Sequence, residues 1–105
     1  RTENSKDINI KLLKFSGKIK RYMTIYKLMD ILCDIKKANE VEKGIFEFSL
    51  LHVITLGLEY KTIVSVYDDK VYDILYNLRD PENKILLNFI NKGHIKPYTL
   101  AFLSP

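Results

Sequence analysis

Apolar residues fall at Val71, Ile74, Leu75 and Leu78, three and four positions apart, and Asp80-Pro81 follows directly. That spacing draws one apolar stripe along an α-helix. The residue before a proline is pushed out of helical backbone, so the stripe has a defined end. A helix over 69–79 is therefore predicted. The same spacing recurs upstream at Tyr22, Ile25, Met29 and Leu32, flanked by Ile19, Tyr26, Leu28 and Ile35, and predicts a helix over 18–37. Lys36 and Lys37 then sit in its last turn, where cations suit the negative end of the helix dipole, and Asn39 reads as its stop. Asn39 with Glu42 three positions on also reads as the cap of a next helix, 40–56, through Val41, Ile45, Phe46, Phe48, Leu51 and Ile54 to a glycine stop at Gly57. Two short helices follow: 84–92, capped by Asn83 and closed by Lys92-Gly93, and 97–103, opened by Pro97. The predicted fold is all-α, a three-helix bundle with two short C-terminal helices.

Two stretches lie outside this pattern. Residues 1–17 mix charges with Ile8, Ile10, Leu12, Leu13 and Phe15 and alternate only at first. They read as an N-terminal arm or linker, leaving 18–105 as the folded unit. Residues 58–67 carry Thr62, Ile63, Val64 and Val66, which favour extended backbone, so helix and strand both remain open there. With 105 residues, 47% hydrophobic and 29% charged, the chain has room for one core and a globular composition. Its longest uncharged apolar run, over 48–58, is far short of the roughly twenty residues of a membrane span. The polar start without Met carries no secretory signal and reads as that of an excised fragment. The one cysteine, Cys33, allows no internal disulfide, and with two separated histidines it builds no four-ligand zinc site. In the row Leu28-Met-Asp-Ile-Leu-Cys it is expected to be a buried small hydrophobe.

The net charge of +4 is concentrated at one end: residues 1–40 carry ten Lys/Arg against five Asp/Glu, whereas 41–105 carry seven against eight. A basic end permits contact with an acidic protein or a phosphate backbone. Lysine outnumbers arginine 14 to 3, and guanidinium forks are the usual readers of phosphates and base edges, which weighs against a dedicated nucleic-acid module.

No residue pattern points to catalysis. Asp68-Asp69 could mimic a metal or acid–base pair, but in front of an amphipathic helix the pair reads as a cap. His52 lies in an apolar run and His94 beside Gly93, each without a second ligand at helical spacing. The seven tyrosines could form a stacking surface for single strands, yet most occupy helix-face positions that are more often core or rim. The chain is expected not to be an enzyme.

From residue 67 to 104 the chain resembles the central, polymerase-binding domain of transcription elongation factor TFIIS. Tyr67, Val71, Asn77, Leu78, Asp80, Asn83, Leu86, Gly93, Ile95, Pro97, Ala101 and Ser104 keep that pattern, and Lys70 and Arg79 keep its charge. Upstream the likeness is looser, in 19–32 and in Val41-Glu42-Lys43-Gly44-Ile45-Phe46. Three departures stand out. Residues 48–66 make this chain roughly ten longer than the family pattern, Tyr72, Ile74 and Asp68 stand where basic residues are usual, and the zinc ribbon that follows in the family is absent.

The resemblance implies a domain that anchors an elongation factor on a multisubunit RNA polymerase, while a separate zinc ribbon promotes cleavage of backtracked RNA. Lys70, Tyr72, Asn77, Arg79 and Lys92 would carry the polymerase contact. No cofactor is implied for this chain, zinc belonging to the ribbon expected after Pro105. It also implies a monomer inside the cell at the site of transcription, either the nucleus or, for a cytoplasmic DNA virus, the host cytoplasm. A large DNA virus as source agrees with the isoleucine-, lysine- and tyrosine-heavy composition. Two rival readings remain: a nucleic-acid-binding helical module using the basic first forty residues, and a protein-interaction domain of a chromatin reader.

Overall fold

A computed structural model describes the backbone of residues 5–103 and the side chains of residues 17–103. Its elements are α1 (Ser5–Leu32), α2 (Ile35–Leu56), α3 (Thr62–Arg79), α4 (Ile85–Asn91), a 3-10 turn (Pro97–Thr99) and α5 (Leu100–Leu103). The all-α expectation holds, with no strand among the described residues. Helices α1, α2 and α3 pack on one another; the 3-10 turn and α5 close over α2, and α4 lies against α3. Leu28, Val41, Ile45, Ile74, Leu78, Ile90 and Ala101 meet in one core.

The first helix differs from its predicted bounds at both ends. It begins at Ser5, so most of the segment read as an arm is helix, with residues 1–4 outside the described part. It stops at Leu32, because Cys33 takes a positive φ of 54° while its N–H still bonds to the Met29 carbonyl at 2.9 Å. That turn carries Cys33 off the apolar face, and the residue predicted to be buried is exposed. Asp34, in extended backbone, caps α2 instead of Asn39, its carboxylate accepting from the N–H groups of Lys36 at 2.9 Å and Lys37 at 3.1 Å. The apolar Ile35 had concealed this break, and Lys36 and Lys37 open a helix where they were expected to close one.

Gly57 ends α2 as predicted, at φ 64°, with Leu58 N–H reaching the Val53 carbonyl at 2.9 Å. Gly93, at φ 80°, ends α4 in the same manner, His94 N–H bonding to the Phe89 carbonyl at 2.8 Å. The open stretch 58–67 resolves into a short turn and the first turns of α3. Burial of Tyr67 and partial burial of Ile63 and Val64 outweigh the β-preference of the segment. Residues 48–66 thus form the end of α2, the turn, and the start of α3. Since α3 begins at Thr62, Asp68-Asp69 lies inside the helix and caps nothing. Asp80 does hold the corner, its carboxylate accepting from Glu82 N–H at 3.0 Å. Asn83 supplies no side-chain cap to α4.

Candidate protein-binding surface

The polar centre of the bundle explains which surfaces are left over for a partner. Glu42, 2% exposed, takes a two-pronged contact from Arg21: Nε to Oε2 at 2.7 Å and Nη2 to Oε1 at 2.9 Å. The Tyr67 hydroxyl donates to Oε2 at 2.9 Å. One carboxylate on α2 thereby joins α1 and α3. The hydrogen bond to Glu42 raises the Arg21 pKa above its ordinary value, and burial raises that of the Tyr67 phenol. Arg21 also lies over Phe46, 3.9 Å from the ring centre. A charged group this enclosed and this fully paired is a structural link between the three long helices.

The outer face of α3 is different. Asp68, Tyr72, Tyr76 and Arg79 follow one another at four, four and three positions, so they share one side of the helix. Tyr72 and Tyr76 are 72% and 63% exposed, with rings 6.3 Å apart and inclined by 21°. Together with Lys27 of α1, Val71, Leu75 and Pro81 they line a shallow groove that ends at Arg79. Asp68, which also lines the groove, is held by Lys20 of α1 at 3.0 Å. Exposed tyrosines beside an arginine are the residue types that dominate protein–protein contacts.

The five residues implied as polymerase contacts are not brought together as a set. Tyr72 and Arg79 share the outer face. Lys70 is nine residues before Arg79, about half a turn off in phase, and so faces the other way; its Nζ lies 4.2 Å above the Phe48 ring. Asn77 shares the Lys70 side and bonds to the Asp73 carbonyl at 2.9 Å. Lys92 is exposed at the end of α4. Side chains of Lys11 and Lys14, from the basic N-terminal group, lie outside the described residues. Two further expectations change here. Tyr22, Tyr26 and Tyr60 are exposed like Tyr72 and Tyr76, so the tyrosines are mostly surface, not core. Tyr76, Lys27 and Pro81 were missed, although Tyr76 stands one turn from Tyr72 and could have been paired with it by spacing alone.

His52 stacks on Phe48, 5.8 Å between rings, and His94 meets Phe89 edge-on, so each has a packing partner. Among the described residues no group of three His, Cys, Asp or Glu is placed to hold a metal ion. No described helix is long and apolar enough to cross a membrane.

No protein-family profile and no solved structure matches the chain. Among curated proteins it is 30% identical over 70 residues to human PHD finger protein 3, covering 67% of this chain and 3% of that protein. It is 28% identical over 88 residues to the transcription factor S-II-related protein of Acanthamoeba polyphaga mimivirus, which covers 81% of this chain. The chain spans about half, 51%, of that viral relative, and the TFIIS-like pattern of its last forty residues thus agrees with similarity to a TFIIS-related protein over most of its length.

Proposed function

We propose that this chain is the RNA-polymerase-binding central domain of a TFIIS-like elongation factor of a large DNA virus, a unit that positions and does not catalyse. The observation that carries the reading is the similarity to a viral transcription factor S-II-related protein over 81% of the chain. The geometry adds a surface suited to docking on a large partner. On the outer face of α3, Tyr72, Tyr76 and Arg79 stand exposed on a helix held from behind by Tyr67, Val71 and Leu78. An interface on a rigid helix loses little conformational freedom on binding. The replacement of a basic residue by the exposed Tyr72 shifts the expected contact from charge pairing toward aromatic packing, while Ile74 is spent on the core. Cleavage of backtracked RNA would belong to a zinc ribbon elsewhere in the factor, and the partner would be a multisubunit polymerase.

The test uses a polymerase stalled on a template, supplied by the organism or virus that encodes the chain. Added alone, the chain is expected to release no RNA fragment at any concentration, yet to compete with the full-length factor and slow its cleavage. Cleavage by the chain alone, or full-length activity untouched by a large excess of it, overturns the proposal. A second reading, a protein-interaction domain of a reader protein, is favoured by the similarity to PHD finger protein 3. It predicts no competition at the polymerase.

A further inference from the structure

Toward the α2–α3 turn the three long helices part and leave a groove of about 600 Å³. Its walls are Gly17 and Tyr22 of α1, Phe46 and Leu50 of α2, and Ile63 and Val64 of α3. Its floor is the Arg21, Glu42 and Tyr67 cluster, whose hydrogen-bonding groups are already joined to one another. The groove therefore offers apolar contact inside and no buried polar group that an apolar occupant would strand. It lies on a different side of α3 from Tyr72 and Arg79.

The occupant follows from shape and charge. Glu42, Phe46 and Leu50 stand four apart on α2 and line one wall, while Tyr22 and Tyr60, 54% and 61% exposed, border the same space, making an open trough and not a closed cavity. A trough of this form accepts side chains presented at i, i+3, i+4 and i+7 by an amphipathic helix. The charged groups lining it are Lys18, Lys20 and Arg21 against the single carboxylate of Glu42. Lys20 is held by Asp68 and Arg21 by Glu42, whereas Lys18, at the lip, has no ion-pair partner among the described residues. Uncompensated positive charge beside an apolar trough selects carboxylates on the flank of whatever lies in it. We infer that the groove between α1 and the α2–α3 hairpin docks an amphipathic helix of a partner protein, its apolar face in the groove and its acidic flank against Lys18. The surplus residues 48–66 supply Leu50, Ile63 and Val64 to this groove, which gives the longer hairpin a purpose.

The probes are two synthetic peptides of about four helical turns with the same leucine face. One carries glutamates on its flanks and the other lysines. Binding to the isotope-labelled chain is followed by NMR. The glutamate peptide is expected to shift the signals of Phe46, Leu50, Ile63 and Val64, and the lysine peptide to bind at least about tenfold more weakly. Gly17→Leu supplies the decisive variant. A Cβ at position 17 meets nothing within 4 Å, so the helix accommodates the side chain while the groove loses its open lip. That variant should melt no lower than the parent and should lose the glutamate peptide, and Lys18→Glu should reverse the preference between the peptides. Binding unchanged by Gly17→Leu, equal affinity for both peptides, or shifts confined to other surfaces would overturn the inference. So would concentration-dependent self-association through the same residues without peptide, which would make a second copy of this chain the occupant.

Discussion

Arg21 grips Glu42 through two guanidinium nitrogens, at 2.7 and 2.9 Å, and so fastens α1 to a carboxylate that is 2% exposed on α2. Removing one partner leaves the other charge buried alone, a far larger penalty than the net worth of the pair. Arg21→Met is accordingly expected to destabilise the chain by about 3 kcal/mol, the low end for a buried pair because the arginine side chain is 34% exposed. Adding Glu42→Leu and Tyr67→Phe, which removes the stranded acceptor and the donor that served it, should restore most of that loss. Urea unfolding of the single and triple variants measures both. A single variant within about 0.5 kcal/mol of the parent would show the link to be ornamental.

The third member of the cluster sets a pH limit. Burial lifts the Tyr67 phenol above its ordinary pKa of about 10. Above that pH the unfolded chain gives up the proton while the folded chain keeps it, so the folded state binds more protons and stability falls as pH rises. Below pH of about 10 the contribution is present in full. Unfolding midpoints measured at increasing alkalinity should fall less steeply for Tyr67→Phe than for the parent. Parallel curves would mean that Tyr67 ionises as freely in the fold as out of it.

Gly44 and Gly17 offer a matched pair inside helices. Alanine normally gains about 1 kcal/mol over glycine in a helix interior. At Gly44 an added Cβ would run into the Tyr98 backbone carbonyl, which the 3-10 turn lays across α2. Gly17 has open space. Gly17→Ala should therefore raise the melting temperature, while Gly44→Ala should lower it, with a net loss of about 1–2 kcal/mol as the C-terminal turn is pushed off α2. Equal stabilisation by both would show that the C-terminal turn is not docked there.

How far the sequence could be read depends on whether a feature is local. Gly57, Gly93 and Asp80-Pro81 act through their own backbone, and each ends its helix where spacing and residue type placed it. The break at Cys33 and Asp34 was hidden because Ile35 prolongs the apolar rhythm although it belongs to the next helix. Glu42 looked like a capping residue because its actual partners, Arg21 and Tyr67, are distant along the chain and meet only in three dimensions. Val41 and Ile45 beside it were the available hint that a carboxylate there would be buried. The tyrosines misled for a related reason: an aromatic at a helix-face position is compatible with core and surface alike, and only the packing of α1 against α3 decides which. The candidate surface was legible in part, through Tyr72 and Arg79, since they share a helix side by spacing.

That spacing also divides the residues implied as polymerase contacts into sets that one interface cannot use equally. Tyr72 and Arg79 stand on the outer face of α3, while Lys70 covers Phe48 on the opposite side. If the outer face meets the polymerase, Tyr72→Ala with Arg79→Glu should weaken binding by about 1–3 kcal/mol, or roughly tenfold or more, with helical content and melting nearly unchanged. Lys70→Glu should leave that affinity close to the parent's and lower the melting temperature slightly, because it removes a cation from an aromatic face. Lys18 and Lys20 serve for the basic N-terminal group, since neutralising Arg21 would unpair Glu42 and confuse folding with binding. The nucleic-acid alternative gives the reverse order: affinity for bare duplex or single strand that falls steeply with salt, depends on Lys18 and Lys20, and ignores Tyr72 and Arg79. The exposed tyrosines keep that alternative worth testing, but Asp69 and Asp80 beside the outer face would weaken attraction of a phosphate backbone there, and Lys20 is already held by Asp68. Titrating polymerase and nucleic acid against both variant sets at low and moderate salt separates the two. Tight, salt-steep binding to nucleic acid that survives loss of Tyr72 and Arg79 would reject the polymerase-facing assignment of α3.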